Sequence, residues 1–320
     1  MVPSAPPQLS QDSNWWWNGE HWVAAKSPDH LWQWDGHVWI PIPQKQVEPL
    51  ALVIPLRVRR HRFLWVFFVG LAGFVTLTWA IITAPSVPLL VGFIALGAFF
   101  VPVAYTTYLN DSDALGGLPL SMFFKISLAT ALFALPSAYV LERLAHVSTS
   151  SLPLLLLVGF IEEGVKLLVV LFFVRRSKYR YELNGVIIGA TVGMAFAGFE
   201  NVGYATAYFL QGGTTALLVT LWLRSLLGPF GHGTWTASIA AVVWRERFSG
   251  RGRLDAKVLW AYLVSSLLHG LWDIAPMLGL LALPWMLLVG LASILILRHR
   301  LREAHAQQHS GLALAPGPLP

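Results

Sequence analysis

The 320-residue chain is 56% hydrophobic and only 12% charged, which excludes an ordinary soluble domain of this length. It contains no cysteine, so disulfides, thiolate nucleophiles and cysteine-ligated zinc are excluded while the compartment is left open. The formal net charge of +6 is not a nucleic-acid signal. Sixteen of the 22 lysines and arginines fall in four clusters, Arg57 to Arg62, Arg175 to Arg180, Arg245 to Lys257 and Arg298 to Arg302, and basic clusters beside apolar stretches report membrane topology.

In chain order, residues 1–14 read as a disordered start, with no apolar core behind a basic segment and hence no cleaved signal peptide. Residues 15–42 repeat with a period of 17: Trp17-Asn18-Gly19-Glu20-His21-Trp22-Val23 matches Trp34-Asp35-Gly36-His37-Val38-Trp39-Ile40. Asn-Gly and Asp-Gly between aromatics are hairpin signals, so a small Trp-rich β-module of two hairpins is expected. Its tryptophans either form the module's own core or offer an aromatic surface to a peptide partner. Residues 43–62 are a Pro-rich and basic linker, and 63–303 form the polytopic membrane domain. Apolar runs long enough to cross about 30 Å of hydrocarbon at about 1.5 Å per residue lie near 63–84, 87–108, 119–141, 152–174, 183–210, 214–244, 258–281 and 284–298. The last is short and reads as tilted or partly interfacial. The tail, 304–320, is expected to be disordered, with His305 and His309 solvated. The fold class is an all-α polytopic membrane helix bundle of about eight transmembrane helices with a small N-terminal β-hairpin module.

Eight spans place both termini on one side. With a cytoplasmic N-terminus, the cytoplasmic segments are 109–118, 175–182, 245–257 and the tail, and three of these four hold basic clusters. Three of the opposite turns, near 85–88, 211–213 and 282–283, hold no charge. The positive-inside rule therefore gives a multi-pass protein of the cell membrane with both termini cytoplasmic.

Charged side chains inside membrane helices are costly and ask for a partner or a function. Glu162, Glu163 and Lys166 lie in the fourth span, Glu200 and Tyr204 in the fifth, Arg224 and His232 in the sixth, and His269 and Asp273 in the seventh, whereas residues 63–108 hold no acid or base. This concentration points to one polar site inside the bundle. The pairs Glu162/Lys166, Glu200/Tyr204 and His269/Asp273 have i,i+4 spacing and share a helix face. Asp273 can accept a hydrogen bond from one nitrogen of His269 and fix its tautomer, leaving the other to substrate, water or metal. Glu162 and Glu163 diverge by about 100°, so one points at the site centre and the other pairs with Lys166 or a neighbouring helix. Arg224 reads as a partner for Glu200 or a snorkelling side chain. Small residues at Gly189, Gly193, Ala197, Gly198 and Gly203 permit close helix approach. The run Gly228-Pro229-Phe230-Gly231-His232-Gly233 should break the sixth span, as helices do where they line a cavity. Acids beside histidines suit general-base chemistry and also a hard-metal or zinc site. His232, His269 and Glu200 are the candidate ligands, and the sequence leaves both a divalent metal and a metal-free site open.

Glu162-Glu163-Gly164-Val165-Lys166, Gly198-Phe199-Glu200-Asn201, His232 with Thr236, and His269-Gly270-Leu271-Trp272-Asp273 together resemble the motif series of the PrsW intramembrane proteases, over roughly residues 63–300. That family is similar to the CAAX prenyl endopeptidases and bacteriocin-immunity-type membrane proteins. Lys166, Glu200 and Asp273 depart from the CAAX pattern and put a prenylated substrate in doubt. The resemblance implies endoproteolysis of a membrane-associated protein such as an anti-sigma factor. On this reading Glu162 or Glu163 activates water, His232 and His269 bind the nucleophile or a metal and stabilise the oxyanion, Asp273 orients His269, and Glu200 is a second acid/base group or ligand. Lys166, Arg224 and Tyr204 give ion-pair support. No Gly-x-Ser-x-Gly, His-Glu-x-x-His or Gly-x-Gly-Asp motif occurs. Two other classes fit the polar cluster alone: a proton- or ion-coupled transporter, or a catalytically silent receptor or immunity protein.

Overall fold

The computed structural model describes residues 10, 15–27, 32–35, 38–41, 61–115, 117–147, 151–175, 179, 181–248 and 255–314. The chain divides into two units, Met1–Val53 with Gly311–Pro320, and Ile54–Ser310.

In the first unit, β1 (Trp15–Trp17) pairs antiparallel with β2 (Trp22–Ala24), and β3 (Trp32–Trp34) with β4 (Trp39–Pro41). Trp17 faces Trp22 and Trp34 faces Trp39, so the strand pairs repeat with the period of the sequence. The first turn is not a two-residue Asn-Gly turn. Asn18 closes a longer loop by accepting the Glu20 and His21 backbone N–H groups on Oδ1, each at 2.9 Å, which is the Asx-turn chemistry of that residue. Asp35 does the same for Val38 N–H at 2.8 Å. A bridge between Lys26 and Gln33 and a Trp16–Trp34 ring contact at 5.2 Å join the hairpins. Trp16 and Trp34 are thus partly internal while Trp15, Trp22 and Trp39 stay exposed. Nearly all of the 43–62 linker lies outside the described residues.

The second unit is helical: α1 (Arg62–Thr83), α2 (Val87–Asp111), α3 (Leu120–Ala129) continuing through a π-helical turn at Thr130–Ala134 into α4 (Leu135–Leu144), α5 (Leu152–Phe173), α6 (Glu182–Leu227), α7 (His232–Phe248), α8 (Ala256–Asp273) and α9 (Ala282–Leu314). Pro88 and Pro153 sit in the first turns of α2 and α5, where a missing N–H costs nothing. Asp255 caps α8, its carboxylate accepting the Lys257 and Val258 N–H groups at 3.0 Å. Its pKa is held below the ordinary aspartate value, first by the Val258 N–H bond.

The expected count of about eight spans is not confirmed by helix length and composition. Among the described residues, five helical stretches are long and apolar enough to cross a membrane: Arg62–Thr83, Val87–Asp111, Leu120–Leu144, Glu182–Arg247 and Ala275–His309. The spans expected at 183–210 and 214–244 fall in one 66-residue stretch, because the chain breaks helical geometry only at Gly213 (φ 65°, ψ −157°) and at the 3-10 turn Gly228–Phe230. Gly213 reverses the chain: Arg224 bonds Glu200 and Asn201, which in an unbroken helix would be about 35 Å away at about 1.5 Å per residue. The 152–174 segment is a helix as expected and on average as apolar as α1, but it carries three charged residues, Glu162, Glu163 and Lys166, at its middle. The tail is also corrected. α9 continues to Leu314, since the Gln308 amide donates to Asp113 Oδ1 at 2.8 Å and Gln307 Oε1 accepts the Glu182 N–H at 2.7 Å. His305 is half-buried and bonds Leu301 O at 2.7 Å rather than solvent.

Two antiparallel helix pairs position the site, within a core to which α1–α4 also contribute. α6 lies against α7 along Gly185, Gly189 and Gly193, where an added Cβ would strike Trp244, the Thr236–Ala240 backbone turn and the His232 carbonyl respectively. α5 lies against α8 through Gly159 and Gly270 in the same manner. The glycines predicted to allow close approach at 189 and 193 therefore do so, by removing the side chain that would separate the backbones. Gly203, by contrast, faces open space.

Candidate active site

The four helices packed this way bring the dispersed polar motifs to one place. Lys166, fully buried, sits at the centre. Its ammonium donates to Glu162 Oε2 at 3.0 Å, Glu163 Oε1 at 2.9 Å and His232 Nδ1 at 2.8 Å, and lies 4.0 Å from the Phe196 ring centroid. Both glutamates therefore share one cation, rather than only one of them. Because Nδ1 of His232 accepts from an ammonium, its Nε2 carries the proton and donates to Glu200 Oε2 at 3.0 Å. Glu200 in turn takes the Arg224 guanidinium at 2.6 Å, while Arg224 also donates to Asn201 Oδ1 at 2.5 Å and lies 4.0 Å from the Tyr204 ring centroid. The expected Arg224–Glu200 pairing is present, and Tyr204 supports it from one turn along.

Glu163 is fully engaged. Oε1 takes Lys166 and the His269 Nδ1–H at 3.2 Å, and Oε2 takes the Thr236 hydroxyl at 2.8 Å. The hydrogen bond from His269 thus goes to Glu163 of α5, a partner the spacing did not suggest, because the Gly159/Gly270 contact brings α5 against the His269 turn of α8. Asp273 stands 3.4 Å from His269 Nε2, and its Oδ2 is buried without a hydrogen bond. His269 Nε2 also lies 3.6 Å from Glu162 Oε2.

Two contributors carry no charge pattern and were not legible as site residues. Trp235 stacks on His269 at 4.5 Å and 20°, with its indole N–H donating to Ser293 of α9 at 2.9 Å. Phe196 floors Lys166. The π-helical turn between α3 and α4, at Thr130–Ala134, is a feature often found beside functional sites. Exposure rises in one direction: Glu163 and Lys166 are sealed, Glu200 and Asp273 are 18% and 25% exposed at the side chain, and Arg224 28%. The site is closed at the Lys166 side and open at the Arg224–Asp273 side.

Ligand atoms of Glu162, His232 and His269 all lie within 4.8 Å of one another. Two imidazoles and one carboxylate make a catalytic zinc donor set, so these residues fit a divalent cation, with Lys166 giving up its bond to His232 Nδ1. Glu200, expected as a ligand, is instead committed to Arg224 and His232.

A buried constellation of two histidines and several carboxylates, open on one side within an apolar helix bundle, is the equipment of a membrane-embedded hydrolase. Residues 118–297 match the family described as PrsW family intramembrane metalloprotease, and the chain belongs to it. It is similar to the Protease PrsW of Geobacillus kaustophilus (strain HTA426), 28% identical over an aligned length of 176, with 53% of this chain and 74% of that protein covered. No solved structure matches the chain. The protein is a multi-pass, membrane-embedded peptidase acting on membrane protein substrate, and the carrier and silent-receptor readings give way to it.

Proposed function

We propose that the protein is an intramembrane endopeptidase of the cell membrane, with both termini cytoplasmic, that uses Glu- and His-activated water to cut a single-pass protein of the anti-sigma-factor kind. The observation that carries the mechanism is the division of labour between the adjacent glutamates. All of Glu163's hydrogen bonds go to Lys166, His269 and Thr236. Glu162 accepts only Lys166 among the bonds formed and reaches toward both histidines at 3.7 and 3.6 Å. Glu162 is therefore the carboxylate able to take the proton of an attacking water, and Glu163 the one that holds His269 and Lys166 in place.

Hydroxide adds to the scissile carbonyl carbon as the water proton passes to Glu162. His269 Nε2, between Glu162 and Asp273, relays a proton to Asp273, whose carboxyl group, a quarter exposed on the open side, delivers it to the leaving amine as the C–N bond breaks. Arg224, fixed by Glu200 and Asn201, faces the open side and positions the substrate backbone. A zinc ion held by Glu162, His232 and His269 would lower the pKa of its bound water and polarise the carbonyl. The short Lys166–His232 bond favours the metal-free reading, the donor spacing the metal-dependent one.

The test is cleavage of a co-reconstituted single-pass protein by the purified full chain. Glu162→Ala and Glu163→Ala should each abolish cleavage, and undiminished cleavage by either refutes the site. Glu162→Gln should lose turnover with little change in melting temperature, whereas Glu163→Gln should lose both. Chelation that leaves turnover and metal content unchanged assigns Glu162 as the base; loss of both, with less zinc in His232→Ala, assigns it to the cation.

A further inference from the structure

We propose that a groove between α8 and α9, at the end of the bundle carrying the basic clusters, binds one anionic phospholipid. The groove has a volume of about 370 Å³ and runs between Trp260, Ala261 and Val264 on one side and Leu295 and Ile296 on the other. Its floor holds two buried serines, which would suit water were they free. They are not: Ser238 Oγ donates to Thr234 O at 2.8 Å and Ser265 Oγ to Trp235 O at 3.3 Å. With both hydroxyl protons donated internally, the floor has no free donor to hold water, and most of the groove's lining is apolar. The walls, Trp260 and Leu295, are exposed on helices that lie in or beside lipid.

The groove does not end in hydrocarbon. Its rim is His299 and Arg300. Arg300 is joined to Glu303 at 3.0 Å, Glu303 to Arg245 at 3.1 Å, Arg245 to Glu246 at 3.3 Å and Glu246 to Lys257 at 3.2 Å. Glu303 and Glu246 meet these three cations, Glu182 and the α8 cap Asp255 lie close to them as well, and it is exposed Arg298 and Arg302 on the same turn of α9 that leave this end of the bundle with a positive excess. An apolar slot with a cationic mouth at the membrane surface matches an acyl chain joined to a phosphodiester, and basic pockets between membrane helices hold such headgroups. A zwitterionic lipid fills the slot without answering the charge. A second polypeptide helix fits the apolar walls but supplies no anion at the rim.

The site also touches the catalytic apparatus. The carbonyl that Ser265 bonds belongs to Trp235, whose ring stacks on His269. The lipid therefore packs behind the residue that holds the imidazole, although its binding is independent of the peptidase mechanism.

The full chain in detergent, titrated separately with phosphatidylglycerol, phosphatidylcholine and inorganic phosphate, can be weighed by native mass spectrometry. One phosphatidylglycerol should be retained in preference to phosphatidylcholine, and inorganic phosphate should not displace it. Removing the rim charge in the double variant His299→Gln/Arg300→Gln should weaken retention about five-fold for the arginine. Leu295→Trp, which fills the slot and leaves every charge, should abolish retention. Equal retention of the two lipids, displacement by phosphate alone, retention unaffected by Leu295→Trp, or a dimer that Leu295→Trp dissociates would each overturn the proposal.

Discussion

Lys166 has no solvent exposure, yet its ammonium is the shared partner of Glu162, Glu163 and His232 at 2.8–3.0 Å. Replacing it in Lys166→Met keeps the volume of the stem and removes only the charge. Two carboxylates within one helical turn are then left without their cation, and breaking a buried ion pair in this way costs about 3–5 kcal/mol. Glu163 keeps Thr236 and His269 as donors, but Glu162 loses the one hydrogen bond it accepts. The loss should therefore be partly relieved by neutralising one acid. In the double variant Lys166→Met/Glu162→Gln, stability should recover by about 0.5–3 kcal/mol relative to the sum of the single changes, the range for groups in one charged network. Equilibrium unfolding of the four proteins in mixed micelles, followed by circular dichroism, measures this. A Lys166→Met protein within about 1 kcal/mol of wild type, or single and double effects that simply add, would refute the account of Lys166 as the shared counterion.

Three further outcomes follow from the packing and capping. Gly193→Ala places a methyl against the His232 carbonyl and Gly233, so it should cost about 1–3 kcal/mol by overpacking and depress turnover by displacing His232; Gly203→Ala, which meets nothing within 4 Å, should be neutral or slightly stabilising in the same melts. Thr236→Val strips Glu163 Oε2 of its donor and should cost about 1–3 kcal/mol, with kcat falling more than KM, and Thr236→Ser should restore both. Asp255 has its pKa lowered by the α8 cap, so its contribution is complete above the ordinary aspartate value and is lost as pH falls through the depressed one. Asp255→Ala should lower the melting temperature at neutral pH and converge with wild type in acid; a constant difference at all pH values contradicts the cap.

Much of this protein was determined by local sequence. Apolar runs fix helices because an isolated backbone cannot cross hydrocarbon unbonded, and every predicted span contains one. The 17-residue Trp repeat recurs as two hairpins of matching register. Charges in consecutive spans predicted a single polar site, and Glu162, Glu163, Glu200, His232, His269 and Asp273 do converge, with Arg224 on Glu200 as anticipated.

What stayed illegible depends on how helices meet. Spacing made Asp273 the natural partner of His269, four residues away, yet the bond goes to Glu163, 106 residues earlier. No periodicity within one helix encodes the depth at which α5 docks on α8; the Gly159/Gly270 contact sets it. The same holds for Trp235 on His269, Thr236 on Glu163, and α9, whose last turns are helical because Gln307 and Gln308 find partners on other elements. The sequence by itself determined which side chains cannot remain in lipid. Tertiary structure decided which of them pair, because a buried charge takes whichever partner the backbone packing brings within hydrogen-bonding distance.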